Sequence, residues 1–499
     1  MALARADANL IIDGFCGGGG ASVGIQMATG RDVDIAINHD IAAILMHKTN
    51  HPRTKHLTED IFRVDLKKYV KGRHVSLMWM SPDCTHFSKA KGGQPLKQEI
   101  RMLPMAVVYH AKSVEPDVVI IENVEEIRTW GKLNKHGKPI QSEKGKDWHR
   151  FLKKMYLAGY HKQAIWILNS ADYGAPTARI RLYGVFRRDG KPIVMPKQTH
   201  SKDGAVPGTK PWLQCGDYID WSDLGQSIFD RKKPLAEATQ RRIANGIRKF
   251  ILENPNPYIV KDERAVAYLI QYHGETKSGD ARGQLLTEPI RTLDTSNRYG
   301  LVTAFMTKFY KTGIGSGVDQ PLPTVTTSPG HFGIVSAHIM KYCGQGVGQD
   351  CREPLHTITA GGSRFAAISA MLIKYYGTGE NAESLNYPLA TLTTKDRFGL
   401  VNVIVNIHGE QYIIADIFLR MLKPEEMKVM QGFPKDYIID RDYMWRPYPK
   451  SEQVARIGNS VVPIMAQKIV EANCPYLKVK ARQPNPVTYW QPNGQMAFA

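Results

Sequence analysis

Short apolar runs separated by polar stretches of helical length pattern the first two hundred residues. NLIIDGF (9–15), VDIAIN (33–38), VSLMWM (75–80), DVVII (117–121), AIWIL (164–168) and RLYGVF (181–186) read as strands. Residues 97–112 and 147–159 have helical length between them. Such alternation predicts an α/β fold, a Rossmann-like, doubly wound and mostly parallel sheet. After the first run comes CGGGGASVG, a glycine cluster that lets backbone approach a ligand and opens a helix whose amides face it. Its spacing is not a clean Gly-x-Gly-x-x-Gly with an acid about 20 residues on, so nicotinamide binding is disfavoured.

The pattern then changes. Residues 187–260 leave the sheet through a Pro-, Gly- and Lys-rich stretch, followed at 234–254 by a helical pattern with Arg241, Arg242, Arg248 and Lys249 on a basic face. That face suits phosphates and an ordinary solvated helix equally well. From about 268 to 403 the chain repeats itself. Lys308, Lys341 and Lys374 recur every 33 residues, as do Tyr299, Phe332, Phe365 and Phe398. Pro321, Pro354 and Pro388 each precede a Thr-x-Thr. Self-similarity of this period marks stacked supersecondary units, and the β-branched, glycine-rich composition makes them β units. Residues 404–475 return to the first fold through a helical block, IADIFLRMLKPEEMKVMQGFP, and a final helix after RIGNSVVP. The expected division is 1–200, a connecting segment 201–267, repeats 268–403, a return 404–475 and a loosely ordered polar tail 476–499.

Composition narrows the partners. Lys plus Arg number 66 against 47 Asp plus Glu, a formal charge of +19, which points to a polyanion, nucleic acid before membrane. Six scattered cysteines without a Cys-x-x-Cys pair argue against a zinc site and a disulfide framework, so no metal is expected. No apolar run reaches the roughly 18–20 residues of a membrane span, and MALARADANLIID lacks a signal-peptide layout.

Three features could carry chemistry. Cys84 stands where the 75–80 strand would emerge into a loop, the end at which α/β sheets bind ligands. Alone, such a cysteine is more often a small buried hydrophobe. Glu122 and Asn123 follow the 117–121 strand directly; a partly buried carboxylate there suits a general acid, although a Glu after a strand often only favours a helix dipole. Arg179 and Arg181, two apart, share a face if extended.

In order and spacing these segments resemble the DNA (cytosine-5) methyltransferases. The resemblance rests on Asp13-Gly14-Phe15-Cys16-Gly17-Gly18-Gly19-Gly20, on Cys84 with Phe87-Ser88 behind it, and on Glu122-Asn123-Val124. It continues through the stretch from Leu157 to Val185 with its paired arginines, Gln431-Gly432-Phe433-Pro434 and Gly458-Asn459-Ser460-Val461. It implies a class I methyltransferase fold, with the β-rich repeats as an inserted target-recognition domain.

The resemblance further implies methyl transfer from S-adenosylmethionine to cytosine carbon 5 in a specific sequence of double-stranded DNA. Cys84 would add at carbon 6, Glu122 would protonate ring nitrogen 3, and Arg181, supported by Arg179, would hold the base. Asp13, Phe15, Gly17, Gly19, Gly20, Asp40, Asp60, Ile61, Asn459, Ser460 and Val461 would bind the cofactor. Ser88 and Asn123 would face the substrate, and Lys308, Arg364, Lys395 and Arg397 the DNA. A stacked base cannot reach such a pocket, so base flipping is implied. A bacterial or phage protein of the cytoplasm, acting as a monomer on DNA, is expected, with a cognate restriction endonuclease as a partner the resemblance allows.

The sequence departs from the family pattern in places. Asp83 precedes the cysteine where proline is usual, Thr85 follows it in place of Gln, Asn38 stands where the ribose-binding Glu is expected, and Thr177 replaces another Gln. A carboxylate beside the thiol should raise its pKa unless a cation such as Lys89 or Lys91 pairs with it. Two other readings share the fold: a tRNA cytosine-5 methyltransferase, and a DNA-binding regulator with impaired catalysis.

Overall fold

A computed structural model describes residues 9–83, 98–229, 231–260, 265–272, 282–308, 338–341, 349–350, 365–367, 372–374, 382–383, 398–399, 404–407, 410–479, 488–490 and 496–498. Cys84, Ser88, Arg364, Lys395 and Arg397 therefore lie outside the described residues. The chain forms two compact units. The first comprises Met1–Ile219, Glu288–Asn297 and Lys423–Ala499, the second Asp220–Thr287 and Arg298–Leu422.

In the first unit the elements run β1 (Leu10–Gly14), α1 (Gly20–Thr29), β2 (Ile35–Asn38), α2 (Ile41–Asn50), β3 (Lys55–Thr58), α3 (Leu66–Val70) and β4 (Val75–Met80). They continue with α4 (Gln98–Arg101), α5 (Pro104–Val114), β5 (Val118–Asn123), α6 (Lys146–Leu157), β6 (Lys162–Asn169), β7 (Thr177–Ala178) and β8 (Ile180–Arg187). One seven-stranded sheet has the order β3-β2-β1-β4-β5-β8-β6. Strands β1 to β5 are parallel, while β8 runs antiparallel to both β5 and β6. The mostly parallel sheet expected from the sequence is thus present, with one reversed strand.

Both faces of this sheet are covered, which is why its strands read as unbroken apolar runs. Alternate side chains serve opposite cores. Leu10, Ile12, Met78, Met80, Val119 and Ile121 pack with Val107, Ala111, Phe151 and Met155 of α5 and α6. Ile11, Leu77, Trp79, Val118 and Ile120 pack on the other side with Ile25 of α1 and with Met465 and Ile469. Those last two belong to a C-terminal helix that returns to this unit.

The second unit is antiparallel. Its central strands are Ala265–Gln271, Tyr299–Lys308 and Glu410–Met421. They are covered by α7 (Glu237–Ile247) and the π turn Arg248–Leu252, whose Ile243, Ile247, Phe250 and Ile251 meet Val266, Tyr268, Val302 and Leu419. The basic helix of the sequence reading is therefore anchored by its apolar face, and Tyr268 Oη donates to the Ile243 carbonyl at 2.6 Å.

The repeats share one pairing scheme. His338–Lys341 lies between Gln349–Asp350 and Phe365–Ala367, and Leu372–Lys374 lies between Ala382–Glu383 and Phe398–Gly399. Ala265–Gln271, between Gly283–Gln284 and Tyr299–Lys308, follows the same plan. In register, Lys341 faces Phe365, Lys374 faces Phe398 and Gln271 faces Tyr299. The recurring polar and aromatic positions are cross-strand partners.

Several expectations need correcting. Residues 410–421 form a strand of the second unit, so the chain returns to the first unit at Lys423 rather than at 404. Only α8 (Pro424–Met430) of the expected helical block is helical; β-branched and aromatic residues upstream pair with Tyr299–Lys308 instead. Glu288–Asn297, assigned by sequence to the first repeat, belongs to the first unit, where Ile290–Arg291 pairs with β7. The C-terminal tail is not simply loose: Leu477 is buried, Val479 N donates to the Thr29 carbonyl at 2.8 Å, and Thr488–Trp490 pairs with Met496–Phe498. The remaining helices are α9 (Lys450–Asn459) and α10 (Pro463–Asn473).

Candidate active site

The parallel strands deliver their candidate residues to one edge, the carboxyl ends, where α/β sheets bind ligands. Phe15 and Gly17 follow β1, Asp40 follows β2, Asp60 and Ile61 follow β3, Pro82 and Asp83 follow β4, and Glu122 and Asn123 end β5. Because β8 is reversed, its first residues reach the same edge, bringing Arg181 beside them.

On the side where the resemblance places the base, Glu122 is 8% exposed and its Oε1 lies 3.4 Å from Arg181 Nε. This is ion-pair distance, yet among the described residues that Nε is not aligned as a hydrogen-bond donor to any partner. Arg181 Nη1 donates instead to the Ile180 carbonyl at 2.7 Å. The carboxylate thus sits in a cationic field without being clamped, which leaves it directional capacity toward a ring nitrogen. Arg179 is buried; its N–H donates to Ser170 Oγ and its guanidinium to the Leu293 carbonyl at 3.2 Å, so it secures the 288–297 segment. Asn123, expected to face substrate, is fully buried. Its amide donates to the Pro82 carbonyl at 2.9 Å and fixes the chain two residues before Cys84. Asp83 is exposed at that point.

On the side where the resemblance places the cofactor, the glycine loop is shaped from below. Phe15 holds a positive φ of 61°, and Gly17 one of 51°. Among the described residues a Cβ on Gly17 would meet only the Phe15 carbonyl, at 3.9 Å, so this is the open side of the loop. Gly20 is the opposite case: the Val461 carbonyl occupies the place of its Cβ. Ser460 Oγ donates to the Arg456 carbonyl at 2.7 Å, and the Ser460 carbonyl accepts from Gln431 at 3.1 Å. The predicted Asn459-Ser460-Val461 block therefore walls the loop, with Asn459 exposed. Asp60 Oδ1 accepts from Phe62 N, and the carbonyl of buried Ile61 accepts from His110 Nε2 at 2.7 Å. Asp40, the carboxylate nearest to where a ribose-binding acid is expected, caps α2 through Ala42 N, and its other oxygen lies 3.6 Å from Arg456. Asp13, fully buried, accepts from Ser22 Oγ through Oδ2, while Oδ1 has no hydrogen-bond partner among the described residues. A backbone cradle open above, walled below and flanked by a buried carboxylate fits an adenosyl-methionine group.

Sheet order, reversed strand and loop define a class I methyltransferase. Residues 10–265 match the profile of the C-5 cytosine-specific DNA methylases. The chain belongs to this family of DNA cytosine methyltransferases, whose methyl donor is S-adenosylmethionine. It is similar to the type II methyltransferase M.AquIA of a Picosynechococcus strain, 26% identical over 202 residues covering 38% of this chain and 76% of M.AquIA. M.AgeI of Thalassovita gelatinovora is 28% identical over 247 residues, 45% of this chain and 53% of its own length. M.DdeI of Desulfomicrobium norvegicum is 31% identical over 187 residues, 37% and 41%. The match thus spans about half or less of M.AgeI and M.DdeI.

Sequence reasoning missed two groups that shape the loop. Tyr437 Oη donates to the Gly18 carbonyl at 2.7 Å, and Asn50 exchanges two bonds of 2.8 Å with the Ile438 backbone. Nothing in the sequence marks Tyr437, which follows Gln431-Gly432-Phe433-Pro434 at a short distance. The second group, Ser22 with His47 and His56, carried a visible signal: His47, His51 and His56 crowd into ten residues.

Proposed function

We propose that this protein methylates carbon 5 of a cytosine in a specific sequence of double-stranded DNA, with base flipping and a transient Cys84 adduct. The observation that carries the reading is the convergence at one sheet edge of Glu122, Arg181 and the Pro82 carbonyl held by Asn123. Cys84, two residues beyond Pro82, would attack carbon 6. That bond converts the ring to an enamine whose electron density moves to carbon 5, while Glu122 donates a proton at nitrogen 3 and Arg181 stabilises the developing charge. When bound, S-adenosylmethionine supplies the electrophilic methyl group. Phe15, Gly17 and Gly19 would line its site, with Asp60 and Ile61 at the adenine end and Asp40 near the ribose. Loss of the carbon 5 proton and departure of the thiolate restore the aromatic ring. The repeat region would read the target sequence, and Lys308, Arg364, Lys395 and Arg397 would contact the DNA. Identical residues in every unit cannot distinguish positions, so non-repeated ones are the readers.

The test is DNA bearing 5-fluorocytosine, which cannot lose its substituent and traps the thiol. The wild type is expected to form a covalent adduct, Cys84→Ser none, with methyl transfer abolished. A Cys84→Ser variant that retains turnover sinks the mechanism. Methyl transfer to tRNA but not to DNA favours the RNA reading, and absence of any adduct favours the regulator.

A further inference from the structure

Beneath the glycine loop runs a chain of polar side chains that the reaction does not use. Ser22 Oγ lies 2.6 Å from Asp13 Oδ2, His47 Nε2 lies 2.9 Å from Ser22 Oγ, and His47 Nδ1 lies 2.9 Å from His56 Nε2. Asp13, Ser22 and His47 are fully buried, whereas His56 is only partly so. The chain therefore links a carboxylate under the loop to the edge of the molecule.

Hydrogen-bond arithmetic allows it two polarities. With Asp13 ionised, Ser22 donates to it, His47 donates to Ser22 through Nε2–H, and His56 donates to His47. With Asp13 protonated, each bond runs the other way. Interconversion hands one proton between each neighbouring pair. Its net result is uptake of one solvent proton at the His56 end and its delivery to Asp13, with no heavy atom obliged to move.

We propose that His47 and His56 are positioning residues that set the protonation of Asp13, so that the loop's hold on the methyl donor depends on pH. This rests on the reading of the loop as the cofactor site. Burial pushes the Asp13 carboxyl up to about 7, opposed by its bond from Ser22. Burial and the neighbouring histidines hold His47 well below its ordinary range, and His56 is lowered to about 4, also chiefly by burial. Near neutrality the carboxylate is thus the group that titrates, and the rings conduct. Other groups face the chain: His51, which is 3.1 Å from Asp32, Lys48 on α2, the Thr54 backbone, Cys16 in the loop and Tyr437 from the C-terminal block. Ionising Asp13 places a negative charge under a ligand whose sulfonium is positive, so binding should tighten as pH rises.

The experiment is calorimetric titration of the DNA-free protein with S-adenosylmethionine from pH 5.5 to 8.5. Wild-type affinity is expected to rise by several-fold to about tenfold across pH 7. Asp13→Asn should bind without that dependence. His47→Leu, which removes the donor that supports the ionised form, should move the midpoint to higher pH, and His47→Gln, whose amide can donate to Ser22, should move it back. Affinity that is flat with pH in the wild type overturns the proposal, as does a His47→Leu profile superimposable on the wild type. Absence of binding at every pH instead refutes the cofactor reading, and the relay is then judged on the free protein. Because Asp13 is raised in the folded state from an ordinary 3.8, the stability it contributes is full below that value and lost as pH rises through about 7. Asp13→Asn should therefore gain on the wild type in unfolding free energy from pH 4 to 7. A constant difference overturns the relay.

Discussion

The proposed base side and the proposed cofactor side share one sheet edge but are built in opposite ways. The base side is local. Glu122 on β5 faces Tyr183 on β8, and Arg181 lies two residues from Tyr183 on the same face, so strand register alone places the guanidinium diagonal to the carboxylate. The cofactor side depends on chain return. Tyr437 reaches Gly18 across 419 positions, Asn50 reaches Ile438 across 388, and the Val461 carbonyl fills the space over Gly20. The proposed reacting groups thus come from neighbouring strands, whereas the loop proposed to hold the methyl donor takes its shape from the far end of the chain.

That contrast sorts predictions by size. Glu122→Gln keeps shape and removes the acid, so it should lower kcat by about 10²- to 10⁴-fold. The dissociation constant for S-adenosylmethionine should stay unchanged. Steady-state kinetics beside calorimetry would check both, and a comparable loss of cofactor affinity would break the separation of the two sides.

Asn123→Ala is expected to be the next largest. It leaves the buried Pro82 carbonyl without its donor, at a cost of about 1–3 kcal/mol in stability. It also frees the backbone two residues before Cys84, so kcat should fall while cofactor affinity holds. Denaturant unfolding and single-turnover rates are the measurements. Unchanged rates in a destabilised variant would mean that Asn123 serves folding alone.

The same contrast explains what could be read from the sequence. Strands buried on both faces leave unbroken apolar runs, and a polar residue ends one and opens another, so the positions of Glu122 and Arg181 at one sheet edge were legible. Whether a polar residue at a strand end points outward is not written in the pattern, and Asn123 turned inward to bond Pro82. The 33-residue period was legible too, and its lysine and aromatic positions are register partners on adjacent strands. Yet in the first repeat the stretch that includes Pro289, the counterpart of Pro321, Pro354 and Pro388, belongs to the first unit. Self-similar sequence cannot announce that one copy has been put to another use. Residues 410–421 misled for a different reason: short apolar runs do not distinguish helix from strand, and their partner, Tyr299–Lys308, lies more than a hundred residues upstream.

Tyr437→Phe makes the smallest change and is the sharpest test of how the cofactor side is held. The substitution keeps the ring, which packs 4.8 Å from Phe433, and deletes only the Oη that donates to the Gly18 carbonyl. A buried hydrogen bond of this kind contributes a net of about 0.5–1.5 kcal/mol, so affinity for S-adenosylmethionine should weaken by roughly two- to tenfold. Because Glu122 and Arg181 are placed by β5 and β8 without help from this residue, kcat at saturating cofactor should not move. A rise in KM alone, read from initial rates over a range of cofactor concentrations, is the expected pattern. A fall in kcat of the same size would mean that the far end of the chain also shapes the base side, and that the two halves of the edge act as one.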